Sequence, residues 1–289
     1  MVILSLDAAV FPAADALRGR GLPRPKVLFF MGTGVGTIPG ALDSADRVPL
    51  SAIAGVPPAW RDATLLAGRL GGDDVWLLED APGDLESGEG GGVTSPEWER
   101  AFPVWLAAAM GATLCVHTSA GVTLQPAANA HPVGSLAILS DHMNLSGRTP
   151  LRGLGVTRLG PLFPDVTRLH HEGLRAKAIE LASRAGFRAR AALAACTVGP
   201  TAHTPAELAW LRQTGADIVV QGVADPLLAC AHAGLSVLAL VALTDAGDRP
   251  LKLEELVTRA EVCAPALEDL ITDLAPDLCA AARELEEEA

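Results

Sequence analysis

The 289-residue chain carries 34 acidic against 22 basic side chains, a formal net charge of −12, with 49% hydrophobic residues and no tyrosine. Such an acid excess excludes the basic patches that grip phosphate backbones, so nucleic acid is not an expected partner. The apolar share suffices for a large core, and with no Ser/Pro-rich linker or charge block to divide it, 1–289 reads as one domain.

Residues 6–19 read as a short amphipathic helix, closed by Gly19 and Gly21 and expected to pack outside the core. The opening MVILSLDAAVF has no basic n-region and holds Asp7 within its apolar run, so no signal peptide is expected. Lys26–Met31 is a short apolar strand, and Gly32-Thr33-Gly34-Val35-Gly36 follows at once. A glycine run of this kind is either a phosphate cradle, with backbone N–H groups and the Thr33 hydroxyl converging on an anion, or a tight strand-to-helix turn. It is not a dinucleotide fingerprint, which needs glycine where Thr37 stands, nor a P-loop, which needs Gly-Lys-Ser/Thr.

Arg47–Leu50 is weakly strand-like, Val56-Pro57-Pro58 is a turn, and Ala63–Leu66 with Val75–Leu78 form a hairpin around Gly71-Gly72. The stretch Glu79–Gly92 holds five carboxylates and no basic residue, which predicts a mobile surface loop that would repel phosphate. Ser95–Met110 reads as a helix capped by Ser95, with Pro96 first in the helix and Trp98, Phe102, Trp105 and Leu106 as its apolar face. After a strand Thr113–Val116, His117-Thr118-Ser119-Ala120-Gly121 falls beyond the carboxyl end, where open α/β sheets place ligands. Leu136–Leu139 is a strand leading into Asp141-His142-Met143-Asn144-Leu145.

From Thr167 to Ala185 the chain reads as helix with His170, His171, Arg175 and Lys177 on solvated faces; adjacent histidines diverge on a helix, so no shared metal is expected. Ala191–Thr197 and Asp217–Val220 are strands on either side of a helix Glu207–Arg212. The apolar run Pro226–Thr244 approaches bilayer length, but His232 and Gly234 split it into a helix end and a strand Leu235–Leu243, so no membrane partner is expected. Leu253–Leu285 is a long helix, expected to break near Pro265 and Pro276. Five scattered cysteines without a C-x-x-C pair read as buried thiols in a reducing, cytoplasmic setting, with no metal site.

Strands alternating with helices, and small or polar clusters following strands at 32–36, 117–121, 199–204 and 244–245, suggest a three-layer α/β/α domain with one composite pocket. With Asp141-His142-Met143-Asn144-Leu145, Pro150-Leu151-Arg152-Gly153, Phe163-Pro164, Gly199-Pro200, Gly215-Ala216-Asp217 and Thr244-Asp245 in order, the chain resembles the trimeric purine nucleoside phosphorylases, including their methylthioadenosine phosphorylase branch. The resemblance implies a mixed, partly barrel-like central sheet and a homotrimer. It also implies phosphorolysis of the N-glycosidic bond of a purine nucleoside, with phosphate as co-substrate and no cofactor.

By the same resemblance, Gly32, Thr33, Ser119 and Ala120 would donate to phosphate, Ala202 and His203 would meet the base, and Gln221 would stand against the sugar. Asp245 would face the purine N7 edge and act catalytically, a protonated acid there donating to N7 as the base leaves. Turn chemistry offers Asp245 another role, an Asx turn with Ala246-Gly247, and His203 could merely close the turn at Gly199–Pro205. The family's Arg-x-His phosphate clamp falls on the acidic stretch 79–92, its phosphate serine on Gly222 and its sugar-facing histidine on Leu253. Each lost charge-assisted contact is worth about 1.5–3 kcal/mol, so phosphate is expected to bind weakly. A nucleoside-binding protein without catalysis and a hydrolase using water are the competing readings.

Overall fold

Every position of strand β1 (Val27–Met31) is buried, and its alternation sends Leu28 and Phe30 into one hydrophobic cluster and Val27, Phe29 and Met31 into another on the opposite face. A strand apolar on both faces needs cover on each. Helices α1 (Leu6–Gly19), α3 (Phe102–Met110) and α6 (Ala224–Ala233) contribute to the first cluster. The short α2 (Ile38–Ala41), α4 (Glu172–Arg184) and α7 (Leu253–Glu288) contribute to the second. This computed structural model describes residues 5–32, 38–79, 96–125, 131–248 and 253–288.

The remaining strands are β2 (Asp43–Pro49), β3 (Thr64–Leu70), β4 (Asp73–Glu79), β5 (Leu114–Thr123), β6 (Leu136–Asn144), β7 (Ala189–Thr197), β8 (Ile218–Gln221) and β9 (Ser236–Asp245). They pair in the order β2-β3-β4-β1-β5-β8-β7-β6-β9, and β9 pairs back onto β5, closing a five-strand barrel at one end of a larger sheet. The three-layer fold with a partly barrel-like sheet is thus the one observed. Strand β5 joins the two parts, pairing with β1 through Leu114–Thr118 and with β8 through Gly121–Thr123. The crossing is tight: a Cβ on Gly121 would lie 2.8 Å from Val241 Cγ1 and 3.1 Å from the Val219 carbonyl oxygen. A third cluster, around Leu208 and Leu211 of α5 (Pro205–Gln213), packs against Val219 and Ala195 of the barrel.

Several elements differ from the sequence reading. Helix α1 belongs to the core, with Leu6, Ala9, Val10, Ala13, Ala14 and Leu17 all buried, because a face on which alanine makes up half the residues lies close against α3. The segment ahead of α3 is a 3₁₀ turn, Glu97–Ala101, and the α-helix begins only at Phe102, where Pro103 sits in its first turn; Ser95 lies outside the described residues. Ser119, Ala120 and Gly121 continue β5 rather than form a loop beyond it. Residues 167–171 are not helical: His170 bridges to Val237, and His171 caps α4 by accepting from the Leu174 N–H. Nor does α7 break at Pro265 or Pro276. Its buried stripe includes Leu267, Leu270, Ile271, Leu274 and Leu278, whose burial at about 1.5–3 kcal/mol each outweighs the ~3 kcal/mol cost of each proline. The expected loop from Asp80 to Gly92 lies outside the described residues. Among the described residues no helix is long and apolar enough to cross a membrane, and all five cysteines are buried and free.

Candidate functional site

Where the ends of β5, β8 and β9 meet the segment after β7, a cavity of about 670 Å³ opens. Its wall includes Ala120 and Val122 of β5, Thr201, Ala202 and His203 of the segment, Gln221 at the end of β8, Thr244 and Asp245 at the end of β9, and Leu256 of α7. Five of the residues expected at the site, Ala120, Ala202, His203, Gln221 and Asp245, therefore line one space. Strand alternation accounts for much of this, since each chain emerges from the barrel beside the next and leaves its terminal side chains at a common rim.

The segment carrying His203 is fixed from behind. Thr204 and Glu207 form a reciprocal capping box at the start of α5, and the Thr204 N–H holds the Glu207 carboxyl below the usual carboxylate range. His203 Nε2 lies 2.8 Å from Thr197 Oγ1. Burial pushes its ring below the ordinary histidine range, with Glu207 opposing, so the imidazole is neutral at pH 7 and offers one donor and one acceptor. Gln221 donates from Nε2 to the Thr201 carbonyl at 2.7 Å, tying β8 to the same segment.

Asp245 is 7% exposed and both its oxygens accept. Oδ1 takes a hydrogen bond from Arg259 Nη1 at 3.1 Å, and Oδ2 takes the Gly247 N–H at 3.2 Å, which is the Asx turn. Arg259 also donates to the Thr244 carbonyl at 2.8 Å and to Glu255 Oε2 at 3.1 Å. Both carboxyl oxygens are thus engaged as acceptors, one by the guanidinium of Arg259 and one by the backbone of the turn. Arg259 is the residue sequence reasoning missed. It sits 14 positions beyond Asp245 on a different element, and only its i,i+4 spacing from Glu255 marks it in the sequence.

The residues assigned to phosphate are partly assembled. Parallel pairing of β1 with β5 puts Met31 opposite Thr118, so Gly32, just past the end of β1, stands beside Ser119 in the middle of β5. Gly32 has no room for a side chain, since a Cβ would come within 2.4 Å of the Thr118 carbonyl oxygen. Its N–H, expected to face an anion, instead donates to Thr118, to the carbonyl at 3.1 Å and to Oγ1 at 2.9 Å. The Ser119 hydroxyl is half-buried and donates to the Ala120 carbonyl at 3.2 Å. Thr33 lies outside the described residues.

The family model described as "Phosphorylase superfamily" matches residues 31–276. The chain is 30% identical over 281 residues to the purine nucleoside phosphorylase of Mycobacterium leprae, covering 94% of this chain and 97% of that one. It is 28% identical over 260 residues to purine nucleoside phosphorylase 1 of Geobacillus stearothermophilus, covering 88% and 91% respectively. In fold it is similar to isoform 2 of the purine nucleoside phosphorylase of Schistosoma mansoni, solved in complex with cytosine and ribose-1-phosphate. The TM-score is 0.83 at 20% sequence identity, over 95% of this chain and 98% of that one.

Proposed function

The chain belongs to the phosphorylase superfamily, among its purine nucleoside phosphorylases, and from that membership we propose that it transfers the pentosyl group of a purine nucleoside to phosphate. In that reaction a phosphate oxygen forms a bond to the anomeric carbon as the bond from that carbon to the purine nitrogen breaks. The electron pair of the broken bond goes to the base, and an oxocarbenium-like sugar lies between the two. The observation that carries the reading is that His203 and Asp245 border one cavity whose wall includes Ala120, next to the Ser119 that stands beside Gly32.

In this reading Asp245, fixed by Arg259 and Gly247, accepts a hydrogen bond from an N–H on the base edge, while Ala202 and neutral His203 contact the ring and Gln221 the sugar. Ser119, Ala120 and Thr33 hold phosphate, which is the co-substrate, and no cofactor takes part. We place the protein in purine salvage in the cytoplasm, a setting that its five free thiols fit. A homotrimer is supported by the exposed apolar side chains of one surface segment, Val156 at 92%, Leu162 at 55% and Phe163 at 87%, which a partner subunit would cover.

One observation favours a second reading. The Gly32 N–H is already bonded to Thr118, leaving the phosphate end short of donors, as expected of a protein that binds nucleosides without cleaving them. Measuring purine release from adenosine and inosine with and without phosphate separates the readings. Release that requires phosphate and yields ribose-1-phosphate supports phosphorolysis. Free ribose in phosphate-free buffer would make it a hydrolase, and binding without release would make it a nucleoside-binding protein.

A further inference from the structure

Away from the cavity, the second half of β6 and the segment ahead of α4 gather three metal-ligating side chains that the proposed activity does not use. Asp141, His142 and His170 bring their ligand atoms within 4.8 Å of one another. We propose that these three residues bind a divalent transition cation of the zinc class and so tie β6 to the strand-like segment that enters α4. The site is separate from the nucleoside cavity, whose wall contains none of the three.

Backbone structure puts these side chains in place before any ion arrives. The register of β6 against β7 shifts between Leu139 and Asp141, and such a bulge re-aims the side chains that follow it. His142 N–H donates to Asp141 Oδ1 at 2.7 Å, which holds the carboxylate against its own strand. From the other side, His170 is anchored by its bridge to Val237, flanked by bonds from His171 N–H to the Val237 carbonyl and from Val237 N–H to the Leu169 carbonyl, each 2.9 Å. Two separate stretches of chain therefore present their ligands from hydrogen-bonded backbone.

The distances suit a metal. His142 Nδ1 and His170 Nε2 stand 3.1 Å apart, with the two rings edge to face at 71°. Two imidazole nitrogens bound at about 2.0–2.1 Å to one tetrahedral ion lie roughly 3.3 Å apart, so small ring rotations convert one arrangement into the other. Both histidines are half-buried and Asp141 is exposed, which leaves an approach from solvent and a fourth position for water. Burial, reinforced by His142, brings His170 down to about 4, against the opposing pull of Asp141 and with Arg175 adding to the lowering. Burial lowers His142 as well, again opposed by Asp141. Two nitrogens and one carboxylate oxygen match zinc and its neighbours, whereas magnesium and calcium prefer all-oxygen shells.

The affinity is expected to be micromolar. Binding needs both facing nitrogens bare, so the ring that donates across the pair must carry its proton on its outer nitrogen instead, and His170 Nδ1 is buried with no hydrogen-bond partner among the described residues. A missing outer partner of that kind costs a metal site about 10–100-fold in affinity. Once bound, the ion would clamp the two ends of the excursion from Leu145 to Leu169, the stretch that carries exposed Phe163.

Calorimetric titration of the chelator-stripped, full-length protein with zinc chloride tests the proposal, alongside cobalt chloride followed by visible absorption. Wild type should bind one zinc per chain at micromolar Kd and give the ligand-field bands of a low-coordinate cobalt site. His142→Ala and His170→Gln should each weaken zinc binding at least tenfold and abolish the bands, while His203→Ala, in the cavity, should bind as wild type. Asp141→Asn, at an exposed position that does not put folding at risk, should weaken binding several-fold. Absence of one-to-one binding in wild type would overturn the assignment, and so would unchanged affinity in Asp141→Asn or in folded His142→Ala.

Discussion

Replacing Arg259 with methionine should cost this protein about 2–3 kcal/mol of stability, most of it through Asp245. The guanidinium makes three hydrogen bonds, to Asp245 Oδ1 at 3.1 Å, to the Thr244 carbonyl at 2.8 Å and to Glu255 Oε2 at 3.1 Å. Breaking a fully buried ion pair by removing one partner costs about 3–5 kcal/mol, whereas an exposed pair is worth about 0.2–1 kcal/mol. The two side chains here are 20% and 11% exposed, which places the pair between these limits and nearer the buried one. Methionine keeps much of the aliphatic stem, so the loss reports on charge and hydrogen bonding rather than on packing. At about 2–4 °C per kcal/mol the melting temperature should fall by roughly 5–10 °C, read by thermal unfolding at fixed protein concentration. Asp245→Asn removes the charge that Arg259→Met would strand, so the double variant should be more stable than the sum of the two losses by about 1 kcal/mol or more. A melting temperature within a degree of wild type for Arg259→Met, or strict additivity in the cycle, would refute the argument that Arg259 holds Asp245 in place.

Gly32→Ala should destabilise by about 1–3 kcal/mol in urea unfolding, because the Thr118 carbonyl that its Cβ would meet at 2.4 Å is backbone and cannot turn aside. Stability should also fall as pH drops below about 6.5. Burial holds His131, His203 and His232 below the ordinary histidine range, so the unfolded chain takes up more protons there than the folded one, and the slope of unfolding free energy against pH is positive. Protonation of His232 would also break a buried contact, since its Nδ1 accepts the Trp105 indole N–H at 3.0 Å; His232→Gln should flatten the profile measured by urea melts between pH 7 and 5. The proposed homotrimer predicts that Phe163→Glu lowers the sedimentation coefficient, whereas an unchanged coefficient would count against an interface at that segment. Calorimetric titration with phosphate should give a millimolar Kd at low salt, and micromolar affinity would show that further donors complete the anion site.

The elements most legible in the sequence are those set by local pattern. The continuous apolar run Val27–Met31 marks β1, and the glycine pair between two apolar runs marks the β3–β4 hairpin, because run length and turn chemistry lie within a few neighbouring residues. Legibility failed where long-range packing decides. The small residues 119–121 look like a loop, yet they continue β5 because the barrel leaves no space for larger ones at Gly121. Pro265 and Pro276 look like helix breaks, but a buried stripe facing the sheet keeps α7 continuous. The same division holds at the cavity. The strand-end clusters at 199–204 and 244–245 border the cavity and the resemblance supplied Gln221, while the Arg259–Asp245 pair and the meeting of His142 with His170 join residues 14 and 28 positions apart across different elements, where no spacing rule applies.

The most direct test of the central claim is a crystal structure of the protein soaked with a purine nucleoside and sulfate or phosphate. The purine should lie in the cavity with an edge N–H within about 3.2 Å of Asp245 and its ring against His203, the sugar near Gln221, and any bound anion beside Ser119 of β5. A nucleoside bound elsewhere with this cavity vacant, or a purine facing away from Asp245 with the anion in its place, would contradict the assignment.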